Sequence, residues 1–179
     1  MGWARGGRLR NLEHLEFRMG ALVLVLFFGQ LLLRGTTVLS LSIPSPVRVS
    51  LWCGCALGVL CLAIVNLRVR GMYFVAAGLL LNVVVVVLNA GMPLSQSAAS
   101  RLGATPSQVS RSLEAGFYRL ASPGTRLRVL GDVIPVPGFP GLRSVVSFGD
   151  LLMIVGVVVI VVEGMVSRPN PSRASRDER

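Results

Sequence analysis

The sequence predicts an all-α integral membrane protein with four transmembrane helices and a long extracytoplasmic segment that contains one or two short helices. Of the 179 residues, 53% are hydrophobic, and the mean hydropathy of +0.69 is too high for a soluble domain of this size. The 18 basic residues, all arginine, outnumber the 8 acidic ones. Such an excess is typical of membrane proteins whose arginines hold short loops in the cytoplasm.

Apolar runs and the turns between them divide the chain. The expected order is a cytoplasmic, interfacial amphipathic segment (1–18), helices A (19–33), B (49–67) and C (72–90), an extracytoplasmic segment (91–147), helix D (148–166) and a cytoplasmic tail (167–179). In the first segment leucines recur at three-residue intervals between charges, and His14, the only histidine, is expected to be a solvated interfacial residue.

The apolar runs are interpreted as helices because lipid offers no hydrogen-bonding partner to an open strand. Helix C contains a valine run, 83–87, that would suit a strand in a soluble protein. Helix A is short for a hydrocarbon layer of about 30 Å, and we expect Arg18 and Arg34 to snorkel at its ends. Pro44 and Pro46 precede helix B, and Trp52 is expected to be its interfacial anchor.

The arginine distribution predicts the orientation. Four arginines precede helix A, two lie between A and B, two lie in the turn between B and C, and four lie in the tail. Both termini are therefore expected in the cytoplasm of a cell-membrane protein, with residues 91–147 outside.

The extracytoplasmic segment shows two helix signals. A first short helix is expected over about 95–102, where Gly103 can end it. Thr105, Pro106 and Gln108 form a capping-box pattern that predicts the start of a second helix. Its expected apolar face consists of Val109, Leu113, Phe117 and Leu120. Prolines and glycines between 131 and 141 exclude a regular helix there.

Polar side chains are expected to converge at the outer face. The candidate outer-face polar cluster consists of Arg126, Arg128, Asp132, Asp150, Arg34 and Asn89. Arginine forks oriented by carboxylates could bind a lipid headgroup or another phosphate. Alternatively, Asp150 is the third residue of a capping box that begins at Ser147, and Asp132 fixes its own loop.

Three polar residues fall inside the predicted spans: Gln30, Asn82 and Glu163. An amide in the middle of a membrane helix needs a partner, so Asn82 is expected to hydrogen-bond another helix. Glu163 is expected to pair with Arg18, Arg68 or Arg70 near the cytoplasmic face.

No catalytic residue, metal site or cofactor is predicted. Cys53, Cys55 and Cys61 lie within an apolar run, where thiols behave as small hydrophobes. No arginine run is interleaved with aromatics as nucleic-acid binding would require. The expected partners are membrane lipid and another membrane protein, the latter through the Gly54/Gly58 pair, whose missing side chains permit close helix contact.

Four short motifs carry a resemblance to a known family: GGRL at 6–9, GMP at 91–93, GDVIP at 131–135 and SFGD at 147–150. Together they resemble the uncharacterised bacterial membrane proteins of domain-of-unknown-function family 5317. The resemblance implies a small multi-pass protein of the cell membrane and brings no activity, substrate or cofactor. It also implies a further hydrophobic helix ahead of GGRL. Either this helix is missing here or the start of the chain has been assigned too late, and in the second case an added span would place the N-terminus outside while leaving helices A to D unchanged.

Two functions remain open from the sequence. The first is a non-enzymatic accessory or scaffold protein that binds a membrane partner or lipid. The alternative is an envelope enzyme or transporter that handles a lipid-linked or phosphate-bearing substrate at the outer face.

Overall fold

A computed structural model describes residues 18–34, 43–138 and 143–166. The protein is mostly helical, with α1 (Gly20–Arg34), α2 (Ser45–Val65), α3 (Met72–Asn89), α4 (Gln96–Arg101), α5 (Pro106–Glu114) and α6 (Phe148–Val166). Within the described ranges, three of these helices, α2, α3 and α6, are long and apolar enough to cross a membrane. The apolar helix α1 has 15 residues and is shorter.

The four predicted membrane helices correspond to α1, α2, α3 and α6. Helix α2 begins four residues earlier than expected, at Ser45, because Pro46 occupies its first turn, where a missing N–H costs nothing. Arg48 therefore lies on the helix and not in the preceding link. The predicted segment over residues 1–17, with His14, and the tail from 167 to 179 lie outside the described residues.

The four long helices pack in chain order, α1 on α2, α2 on α3, and α3 on α6. The α3–α6 contact is the closest because two glycine pairs face each other, Gly78 with Gly149 and Gly71 with Gly156. A Cβ atom at Gly156 would lie 2.7 Å from the carbonyl oxygen of Gly71. Each helix carries its two glycines seven residues apart, which keeps both on one face of an antiparallel pair.

The residues between α3 and α6 form a small folded unit, which we call the cap (90–147). It contains β1 (Met92–Leu94) and β2 (Tyr118–Leu120), which pair in parallel, and β3 (Ile134–Val136) and β4 (Ser144–Val146), which pair antiparallel. These three-residue strands were not predicted, since each is too short to show a periodic pattern.

Both predicted short helices of the cap are present. Thr105 and Gln108 form the expected reciprocal capping box at the start of α5. The prediction that Phe117 and Leu120 extend its apolar face is wrong, because α5 ends at Glu114. Gly116 then takes a left-handed φ of +84° and packs so closely on Ser45 that a Cβ would lie 2.6 Å from the serine Oγ.

Three contacts fasten the cap to the bundle. The Ser45 hydroxyl on α2 donates to the carbonyl oxygen of Gly116 at 2.8 Å. The amide of Asn89, the last residue of α3, both donates to the carbonyl oxygen and accepts from the N–H of Arg126, each at 2.9 Å. The buried ring of Phe117 lies 5.1 Å from that of Trp52 on α2. The cap is therefore held against one end of the bundle.

We predict that Gly149→Ala destabilises the protein, because its Cβ would collide with the Gly78 backbone and the Asn82 side chain. The expected loss is about 1–3 kcal/mol, as for other overpacked contacts. Gly54→Ala is the matched control, since no described residue has an atom within 4 Å of a Cβ at that position. Thermal unfolding in detergent would measure both; equal midpoints for the two variants would contradict the close α3–α6 contact.

Candidate functional site

A cavity of about 470 Å³ lies among the four long helices. Residues of all four helices line this cavity. We call it the α1–α6 groove, because α1 and α6 are the first and last helices in the packing order α1, α2, α3, α6. Its lining residues are Gly20, Leu24, Phe27, Gln30, Leu31, Trp52, Val59, Met72, Val75, Leu79, Asn82, Met153, Val157 and Ile160. All but three of these are apolar or glycine.

The groove is long, narrow and open to the side. Along α1 it extends from Gly20 to Leu31, which corresponds to roughly 16 Å of helix. That is about half of the roughly 30 Å hydrocarbon core of a bilayer. Leu79 and Ile160 are buried, at 2% and 8% exposure, whereas Phe27 on α1 remains 47% exposed. The groove is therefore open on the side of α1.

Both the nitrogen and the oxygen of the polar lining residue Asn82 form hydrogen bonds to residues at the start of α6. Its Nδ2 donates to Oδ1 of Asp150 at 2.8 Å, and its Oδ1 accepts from the Ser147 hydroxyl at 2.9 Å. Ser147 and Asp150 also cap α6 reciprocally, at 2.9 and 3.2 Å. The predicted capping box is confirmed, and Asn82 bonds across to it, as an amide in the membrane requires.

The other two polar lining residues lack acceptors. Gln30 is 7% exposed and Trp52 2% exposed, and within the part of the chain that the structure describes neither Nε2 of Gln30 nor Nε1 of Trp52 has a hydrogen-bond partner. The expectation that Trp52 is an interfacial anchor is wrong, because its ring packs between Phe117 and the groove. A buried unsatisfied donor costs about 1–3 kcal/mol.

The members of the predicted outer-face cluster occupy separate places at the cap end. Asn89 holds the backbone of Arg126, Asp150 caps α6, and Asp132 is buried beside β1, with its backbone bonded to Pro93 and Ser95. The side chains of Arg126 and Arg128 are exposed. The side chain of Arg34 lies outside what the structure describes.

Residues predicted at the opposite end are also placed. Glu163 on α6 forms a partly exposed ion pair with Arg70, at 3.4 Å. Gly58 packs against Leu26 of α1, whereas a Cβ at Gly54 would have no atom of the described part of the chain within 4 Å. No group of three His, Cys, Asp or Glu side chains that could hold a metal occurs among the described residues.

Sequence reasoning missed Arg48 as a buried residue. It is 3% exposed on α2, one turn before Trp52, and its Nε has no acceptor among the described residues. The four-residue spacing of Arg48 and Trp52 could have signalled a shared helix face. Because Arg48 was predicted to lie in the link before helix B, its position on the same helix face as Trp52 was not recognised.

A family model matches residues 14–162, described as a family of unknown function, DUF5317. The chain belongs to this family. The matched range of DUF5317 contains all of α1, α2, α3 and the cap, together with α6 up to Val162, and so includes the whole groove. Neither the curated proteins nor the solved structures gave a match to the chain.

We predict that Asn82 and Asp150 are energetically coupled. Their interhelical hydrogen bond should contribute about 0.6–2 kcal/mol, the range measured for such bonds in membranes. A double-mutant cycle with Asn82→Ala and Asp150→Ala, followed by unfolding in mixed detergent micelles, measures the coupling. Strictly additive effects of the two substitutions would mean that the bond does not stabilise the α3–α6 contact.

Proposed function

We propose that the protein is a multi-pass protein of the cell membrane that binds a membrane lipid in the α1–α6 groove. In this proposal it acts without catalysis, as an accessory or scaffold protein whose cap and helices present the bound lipid to a membrane partner. The observation that carries the proposal is the pair of buried, unsatisfied donors, Gln30 Nε2 and Trp52 Nε1, at one end of an apolar groove.

The groove and the donors select for an amphiphile. The apolar length would accept a hydrocarbon chain, whose burial contributes about 0.8 kcal/mol per CH₂ group. The two N–H groups would donate to the ester carbonyl oxygens at the head of that chain, which removes the cost of leaving these donors unsatisfied. Since both buried, unsatisfied atoms are donors, a ligand that satisfies them must bring acceptors.

A helix from a second protein fits the groove less well. The backbone carbonyl groups of a membrane helix already accept hydrogen bonds within that helix. Such a helix could fill the apolar length but would leave Gln30 and Trp52 unsatisfied. Lipid esters are the acceptors that a bilayer supplies at the required depth, so we favour lipid as the occupant.

The proposed topology has four spans, with both termini in the cytoplasm and the cap outside. Helix α1 would be the fourth span, although its 15 residues correspond to only about 22 Å. It packs on α2 over its length and ends with Arg34, and Arg18 precedes it. Arginines at both ends allow a short helix to span by snorkelling and local thinning.

The exposed segment 126–129, which Asn89 holds through the backbone of Arg126, supports a membrane-facing role for the cap. Leu127 and Val129, at 46% and 66% exposure, alternate there with the exposed Arg126 and Arg128. We propose that the two apolar side chains lie in the headgroup layer while the arginines contact lipid phosphates. This retains the predicted outer-face role for these two arginines.

We predict that Val157→Trp expels the lipid and that Val158→Trp does not. The two valines are neighbours on α6 with similar exposure, 53% and 51%, but only Val157 lines the groove. Mass spectrometry of lipid retained by the detergent-purified protein would measure occupancy. A severalfold loss in Val157→Trp alone is expected, whereas equal occupancy in both variants, or no retained lipid in the parent, would rule the proposal out.

We predict that the cap is reached from outside the cell. In a variant with its three cysteines replaced by alanine, Ser110→Cys in α5 should react with an impermeant maleimide in intact cells. Arg68→Cys, in the exposed turn between α2 and α3, should react only after permeabilisation. The reverse pattern would invert the topology, and labelling of both sites in intact cells would be incompatible with a spanning α3, which separates them.

A further inference from the structure

Arg48 is a buried cation that lies outside the lining of the groove. It is 3% exposed, and its Nη1 donates to the carbonyl oxygen of Leu33 on α1 at 3.5 Å. Its Nε has no acceptor in residues 18–34, 43–138 and 143–166, and no carboxylate there lies within ion-pair distance of it. Burying an arginine charge with one long, neutral hydrogen bond is costly, so buried arginines are normally paired with anions.

The position of Arg48 relative to the groove donors indicates what that anion is. The contact between Arg48 and Leu33 places these two residues at the same level of the bundle. Gln30 lies three residues from Leu33 and Trp52 four residues from Arg48, so both donors lie one helical turn, about 5.4 Å, deeper. Arg48 itself does not line the groove. From the capped end inward, the order is therefore a cation just beyond the end of the groove, then two neutral donors, then the apolar lining.

This order matches the order of groups in a phospholipid, which carries a phosphate, then two ester carbonyls a few ångströms deeper, then acyl chains. We propose that the groove binds a phospholipid whose phosphate accepts from Arg48 and whose ester oxygens accept from Gln30 and Trp52. The inference rests on the proposed lipid-binding function and adds the lipid class.

The charge of the cap favours an anionic headgroup over a zwitterionic one. Residues 91–147 contain six arginines and two acidic residues. Of these arginines, Arg126 and Arg128 are exposed next to the end of α3, held there by Asn89. Basic residues at the membrane surface attract anionic lipids, by about 1 kcal/mol for each residue near the surface. The occupant is therefore an anionic diacyl phospholipid, of which phosphatidylglycerol is the simplest probe.

The decisive measurement compares headgroups on the unaltered full-length protein. Detergent-purified, delipidated protein is titrated with phosphatidylglycerol, phosphatidylcholine and diacylglycerol of the same chain composition, and bound lipid is counted by native mass spectrometry. Phosphatidylglycerol should bind most tightly and diacylglycerol roughly tenfold or more weakly, because only the former offers a charged acceptor to Arg48. Inorganic phosphate should not displace phosphatidylglycerol, since it cannot fill the groove.

Two variants separate the phosphate contact from the chain contact. Arg48→Gln should lower the affinity for phosphatidylglycerol to near that for diacylglycerol and leave diacylglycerol binding unchanged, and Arg48→Lys should restore part of the difference. Arg111→Gln removes the same charge from an exposed site in α5 and should change phosphatidylglycerol binding little. Val157→Trp should weaken all three lipids alike.

The outcomes distinguish this inference from the function on which it rests. Equal binding of phosphatidylglycerol and diacylglycerol to the unaltered protein would overturn the phosphate contact and leave lipid binding intact. Failure of every lipid to bind would overturn both. Displacement of phosphatidylglycerol by inorganic phosphate would show a phosphate site that does not use the groove. The headgroup comparison needs no variant, so it remains decisive even if Arg48→Gln does not fold.

Discussion

The close approach of α3 and α6 is the constraint on which the rest of the structure depends. Two helices with side chains at the contact pack with their axes about 8–10 Å apart, and only small residues allow them to approach more closely. The paired glycines, Gly78 with Gly149 and Gly71 with Gly156, provide that approach over two turns of each helix. Lipid supplies no hydrophobic force between helices, so this contact relies on packing and on the Asn82 hydrogen bonds.

The groove follows from this arrangement. Because α6 is drawn onto α3 and α1 packs on α2, the outer two helices do not close on each other, and the space between them remains. The same contact fixes where the cap begins and ends, since α3 ends at Asn89 and its neighbour α6 begins at Phe148. Ser45 and Trp52 then connect the cap to α2, whose inner face also lines the groove. The close packing of α6 on α3 thereby determines the positions of both the α1–α6 groove and the cap.

Properties that are local in sequence were predictable, whereas those that depend on distant pairing were not. Apolar run length located the four long helices, and both capping boxes were visible as four-residue patterns beginning at Thr105 and Ser147. The glycine pairs were not recognised, because each glycine is ordinary by itself and its partner lies far along the chain. The Gly54/Gly58 motif was predicted to form a close helix contact instead. Of these two glycines, only Gly58 is close to another helix among the described residues.

The residues of the candidate site divide in the same way, into those recognisable from local sequence and those whose surroundings depend on distant parts of the chain. Gln30 and Asn82 were identified as polar residues in membrane segments, since their chemistry is unusual there whatever they contact. Trp52 was misplaced because tryptophan near a helix end usually lies at the lipid interface, whereas here Phe117 of the cap covers one side of it. Its burial depends on a residue 65 positions away by sequence number, which no local pattern reports.

The hydrogen bonds of Asn82 also have a consequence for the order of events during synthesis. Ser147, one of its two partners, follows it by 65 residues. At translation rates of about 5–20 residues per second, roughly 3–13 seconds pass between the two. Throughout that interval the apolar helix α3 carries an amide without the partners it has in the finished fold. The arrival of α6 therefore completes the hydrogen bonding of α3, and a chain released before Ser147 would leave that amide without these partners.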